Sequence, residues 1–75
     1  MRATLEFKLP EERTDFRLAL DGGDWWSVCY TLNNWLRNEI KHPRQDMSED
    51  TLKAYEECRA VLIDAINKAN LDLYL

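Results

Sequence analysis

The strongest constraint on this chain is the stretch over residues 24–43, which carries all three tryptophans, the only histidine and three of the five asparagines. Asp24 can accept hydrogen bonds from the free N–H groups of a first helical turn, and Gly22-Gly23 before it favour a break. Lys41 and His42 suit the negative end of a helix dipole, and Pro43 disfavours helical geometry at His42. The stretch therefore predicts a helix over 25–42.

At 3.6 residues per turn this helix has two stripes. Trp25, Val28, Cys29, Leu32, Trp35, Leu36 and Ile40 form a broad apolar one that is expected to be core. Trp26, Tyr30, Asn33, Arg37 and Lys41 form an adjacent one, spaced i, i+4, i+7 and i+11. Two aromatic planes, an amide and two cations in a row can stack a base, hydrogen-bond its edge and neutralise phosphate. The same residues can equally pack on a neighbouring helix, with Arg37 laid over the rings as a cation–π lid.

The rest of the chain is read around that helix. Residues 2–9 alternate apolar and polar, with Ala3, Leu5, Phe7 and Leu9 on one side, which predicts a strand. Pro10, Glu11 and Glu12 suit a helix start, giving a helix over 11–21 that ends at Gly22 or Gly23. Ser48 caps a third helix over 49–70, with Leu52, Tyr55, Cys58, Leu62, Ala65, Ile66 and Ala69 as its stripe. Arg59 lies inside the edge of that stripe, where a long cation either snorkels to water or meets a carboxylate, carbonyl or phosphate. Leu71, Leu73 and Leu75 alternate with Asp72 and Tyr74, a second strand pattern over 71–75. The expected fold is mainly α within an α+β class: three helices with short N- and C-terminal β-strands, in one small helical domain over 1–75. Trp25, Leu32, Leu36, Leu62 and Ile66 are its expected core.

Seventy-five residues bury only about 60% of their unfolded surface, so the core must be thin. A thin core and unpaired strand edges point to a homo-oligomer. The net charge of −4 argues against binding a DNA or RNA polymer, which needs a broad basic surface. It leaves room for a small anion at the local cluster Arg37, Lys41, His42 and Arg44. Cys29 and Cys58 fit no zinc spacing and read as reduced core thiols, though a disulfide between them is open. With no leader pattern and no apolar run of membrane-spanning length, the chain is expected in the cytoplasm.

The opening Met1-Arg2-Ala3-Thr4-Leu5-Glu6-Phe7-Lys8-Leu9-Pro10-Glu11-Glu12 resembles the start of a group of small proteins encoded by tailed bacteriophages and prophages. Ala19-Leu20-Asp21-Gly22 and Leu32-Asn33-Asn34-Trp35-Leu36-Arg37-Asn38-Glu39-Ile40-Lys41 resemble the same group. The resemblance implies an accessory protein that blunts a host defence, either by sequestering a cyclic oligonucleotide signal or by blocking a protein.

No nucleophile–base pair, paired carboxylate cleft or metal set appears, so an enzyme is not expected and no cofactor is implied. Two binding classes remain. In one, Trp26, Tyr30, Asn33, Arg37, Lys41 and Arg59 hold a small anionic nucleotide, with symmetric copies closing over it. In the other, the Trp-rich face inhibits a host protein, because Trp, Tyr and Arg dominate interface energetics.

Overall fold

The computed structural model describes residues 1–74. Its elements are two helices, α1 over Arg13–Lys41 and α2 over Glu49–Lys68. They form a helical hairpin, joined by the loop over residues 42–48.

The expectation of three helices with terminal strands is overturned in two places. First, the helices expected over 11–21 and 25–42 are one 29-residue helix running through Gly22-Gly23. Neither glycine has a positive φ. Two interior glycines cost about 1 kcal/mol each relative to alanine. A break there would expose up to four unpaired N–H and four unpaired C=O groups, which is the larger penalty. Asp24 therefore sits in mid-helix rather than at a cap. The helix begins after Glu12, which makes no side-chain cap bond, and it ends at Lys41 just ahead of Pro43.

Second, no strand forms among the described residues. Period-two alternation supplies a face, but a strand also needs a partner for its N–H and C=O groups. The two candidate segments never meet as a ladder. The N-terminal arm turns into α1 through Glu12 N–H to the Lys8 carbonyl, 2.8 Å. It touches the helix where Phe7 meets Phe16 edge-on, 5.6 Å between ring centroids. Residues 71–74 instead fold back along α1. Of the strand expected over 71–75, Leu75 lies outside the described residues.

The hairpin starts and stops where local chemistry dictates. Ser48 Oγ accepts from the Thr51 N–H at 3.1 Å and opens α2; such a cap contributes about 1 kcal/mol. After Lys68 the chain reverses at Asn70, whose φ of 58° is the left-handed conformation that Asn tolerates better than most residues. Leu71 N–H then bonds the Ile66 carbonyl at 3.1 Å, closing the turn and aiming residues 71–74 at α1.

Gly22, Trp26, Cys29, Asn33, Leu36 and Ile40 of α1 repeat at alternating spacings of four and three, as do Leu52, Tyr55, Arg59, Leu62 and Ile66 of α2. This is the a/d pattern of a coiled-coil seam. Leu36 is the buried leucine of the seam and Leu73 the other buried apolar side chain, while Leu62 and Ile66 are half-buried. Trp25 and Leu32, expected in the core, are 59% and 46% exposed. The register is rotated by roughly a quarter-turn from the expected one, so half of the broad apolar stripe faces away from α2.

The hairpin is elongated. At 1.5 Å per residue α1 is about 43 Å long and α2 about 30 Å, so the first turns of α1 overhang. The molecule measures 53 × 29 × 19 Å with a radius of gyration of 17.2 Å, against about 11 Å for a compact chain of this length.

Candidate interaction surface

Two different faces of α1 are candidates. The first is the stripe of Trp26, Tyr30, Asn33, Arg37 and Lys41 with Arg59 of α2. Asn33 is fully buried at 0% exposure. Its Nδ2 donates to the Tyr74 hydroxyl at 2.6 Å, and its Oδ1 accepts from Arg59 Nε at 3.1 Å. One amide thus ties together α1, α2 and the C-terminal segment. Arg59 neither snorkels fully nor waits unpaired; it is half-buried against an uncharged carbonyl oxygen.

Two turns earlier, Trp26 Nε1 donates to the Leu73 carbonyl at 2.9 Å. That carbonyl belongs to the segment expected to be a strand, and the indole satisfies it in place of a ladder. Trp26 stacks on Tyr30, 5.0 Å between centroids at 27°. Tyr74 meets Tyr30 edge-on at 6.2 Å, an arrangement favoured by the ring quadrupoles. The Tyr74 N–H is held by Asp72 Oδ1 at 2.9 Å. The structure therefore brings Trp26, Tyr30, Asn33 and Arg59 together, with Tyr74 as an added member that the sequence reading did not assign. Arg37 and Lys41 continue the stripe as exposed cations toward the loop.

The second face carries Trp25, Val28, Leu32 and Trp35, exposed by 59%, 58%, 46% and 44%. Asp24, Ser27 and Thr31 flank it and complete a shallow depression. Trp35 is steadied from one side by Tyr55 of α2, 5.4 Å between centroids. These four residues were expected in the core. Their apolar arc from Trp35 round to Tyr30 spans about 220° at 100° per residue, far wider than the stripe one neighbouring helix covers. That width was the signal for a second surface.

Two of the acids around this face, Asp21 and Glu39, are paired within the chain. Arg17 Nε reaches Asp21 Oδ2 at 2.9 Å, and Arg44 Nε reaches Glu39 Oε2 at 3.3 Å. The Glu39 hydrogen bond, followed by its charge, holds the Arg44 guanidinium above its usual pKa. Arg17 and Arg44 are both exposed, though Glu39 is largely covered, and pairs with an exposed cation add little stability.

The cysteines are free; Cys29 is half-buried in the seam and Cys58, expected in the core, is exposed. Among the described residues no group of three or more metal-ligating side chains converges, and no helix is long and apolar enough to cross a membrane. No protein-family model, no curated protein and no solved structure matches the chain.

Proposed function

We propose that this chain is a protein-interaction module that docks through the open face of α1, with Trp25, Val28, Leu32 and Trp35 as its anchors. The observation that carries the reading is the exposure of four large apolar side chains, two of them tryptophans, on one continuous helical stripe. Trp is the residue type most enriched at energetic centres of interfaces, and contiguous apolar patches of this kind mark docking sites. The setting suggested by the resemblance, a phage-encoded accessory protein acting on a host defence in the cytoplasm, belongs to the same proposal.

The competing proposal is capture of a cyclic oligonucleotide on Trp26, Tyr30, Asn33, Arg37, Lys41 and Arg59. For that, a ligand must displace residues 71–74, because the Trp26 indole, both polar atoms of the Asn33 amide and one face of Tyr30 are already engaged. Geometry therefore favours the protein reading.

A photo-crosslinking amino acid placed at position 28, and separately at position 53 on α2, tests it in cells expressing the chain. Position 28 is expected to yield a discrete protein adduct and position 53 none. Adducts from 53 alone, or from neither, refute the reading.

A further inference from the structure

We infer that the occupant of the open α1 face is a second copy of this chain, packed antiparallel across a two-fold axis that passes midway between Val28 and Leu32. The inference rests on the interaction reading above and names the partner. It stands on the self-complementarity of the face. Trp25, Val28, Leu32 and Trp35 are spaced three, four and three residues apart. Read backwards, the spacing is unchanged, and the residue types nearly so: a tryptophan at each end and two aliphatics between. Two antiparallel copies therefore place Trp25 against the partner's Trp35 and Val28 against the partner's Leu32, twice over. This is the isologous condition that a two-fold interface imposes.

Charge points the same way. The chain carries −4 overall, so two copies repel unless they meet on neutral ground. The segment from Trp25 to Leu36 has no charged residue on any side of the helix. Of the acidic residues that bound the open stripe, Asp21 and Glu39 are each neutralised by an arginine of their own chain, and Asp24 sits at one end, just outside the uncharged segment. Ser27 and Thr31, small and uncharged, flank the stripe and allow the two α1 helices to approach closely.

Area agrees. The chain exposes 6805 Å², whereas a compact protein of its mass exposes about 4,800 Å². The N-terminal arm and the open face of α1 both contribute to the excess. A standard interface needs only about 800 Å² from each partner. Pairing two hairpins through α1 makes a four-helix arrangement in which each α1 has one seam for α2 and one for its copy. That second seam supplies the core the single hairpin lacks.

Sedimentation equilibrium of the full chain, with a reciprocal charge swap, tests the inference. The wild type is expected at twice 8.9 kDa at micromolar concentration. Val28→Lys alone and Leu32→Glu alone are each expected to weaken association by at least about a hundredfold, because the two-fold repeats every buried charge. Circular dichroism should show both variants still helical, since positions 28 and 32 are exposed in the hairpin. Mixing the two variants is expected to restore the dimer, because Lys at 28 then meets Glu at the partner's 32. If either charged variant unfolds, Val28→Ala and Leu32→Ala replace the pair, each expected to weaken association about tenfold. A monomeric wild type overturns the inference, as do single variants that stay dimeric or a mixture that fails to re-associate. A monomeric wild type that still gives a hetero-protein adduct from position 28 leaves the interaction reading standing; absence of any adduct removes both.

Discussion

Replacing Asn33 by alanine is the sharpest test of how this hairpin is held together. The side chain is fully buried and makes two hydrogen bonds, to Tyr74 at 2.6 Å and from Arg59 at 3.1 Å. The neutral bond to Tyr74 contributes about 0.5–1.5 kcal/mol, and the one from the charged guanidinium about 1.5–3 kcal/mol. Arg59 and Tyr74 are only partly buried, so each regains some solvation when the amide is gone, and the sum is an upper bound. Asn33→Ala should therefore cost about 2–4 kcal/mol, most of what a chain this small has to lose. In a domain of this size each kcal/mol lowers Tm by about 4–8 °C, so the fall should be about 8–32 °C. Urea unfolding at fixed protein concentration measures it, followed by tryptophan fluorescence. A double-mutant cycle with Tyr74→Phe isolates the Asn33–Tyr74 bond. Its coupling should be about 0.5–1.5 kcal/mol. A loss below about 0.5 kcal/mol for Asn33→Ala, or strict additivity in the cycle, would refute the view that this amide joins the three segments.

Two further outcomes follow from the fold. Leu36→Ala should destabilise by about 2–4 kcal/mol, whereas Leu32→Ala, at a position 46% exposed, should leave the dilute hairpin within about 1 kcal/mol of wild type; equal losses in dilute thermal melts would show that the register is wrong. A Cβ added at Gly22 or Gly23 meets nothing within 4 Å, so Gly22→Ala and Gly23→Ala should each stabilise by about 0.5–1 kcal/mol and raise helical ellipticity; loss of helicity in either would mean that α1 is broken there after all.

The mainly helical character and two of the helix ends were legible in the residues, but the number of helices and the terminal segments were not. Ser48 with Glu49 and Asp50 marked the start of α2, and Pro43 marked the end of α1. The Gly-Gly pair misled because glycine is permissive rather than disruptive. Propensity weighed about 2 kcal/mol against the helix at that point, and continuity of the backbone hydrogen bonds outweighed it. The terminal alternations misled for a related reason. A period of two describes the side chains, but a strand exists only where its backbone finds a partner. The carbonyl of Leu73 found an indole N–H instead, 47 residues away in the chain, and no local pattern carries that information.

The candidate site was half legible, and the missing half explains the rest. Spacing placed Trp26, Tyr30, Asn33, Arg37 and Lys41 on one stripe and Trp25, Val28, Cys29, Leu32, Trp35, Leu36 and Ile40 on another, expected to be core. The structure divides the second: Cys29, Leu36 and Ile40 join Trp26 and Asn33 in the seam, while Trp25, Val28, Leu32 and Trp35 stay open. What spacing alone could not decide was which stripe faced inward, because each repeats at three and four residues and each is aromatic. The decision falls to α2 and the C-terminal segment. Arg59 offers a donor that only a polar seam residue can accept, and Asn33 is the one asparagine on α1 that meets it. Turning Trp25 and Leu32 inward instead would leave the Arg59 guanidinium and the Leu73 carbonyl without these partners, at about 1–3 kcal/mol for each group left unpaired. Leaving the apolar stripe in water has a comparable penalty, about 1.5–3 kcal/mol for each large side chain, but that penalty can be recovered by a partner. A half-buried guanidinium turned from its partner regains only part of its hydration, whereas an exposed apolar stripe can be covered in full by another chain. The hairpin therefore satisfies its polar groups within one chain and leaves its surplus apolar surface for another to cover.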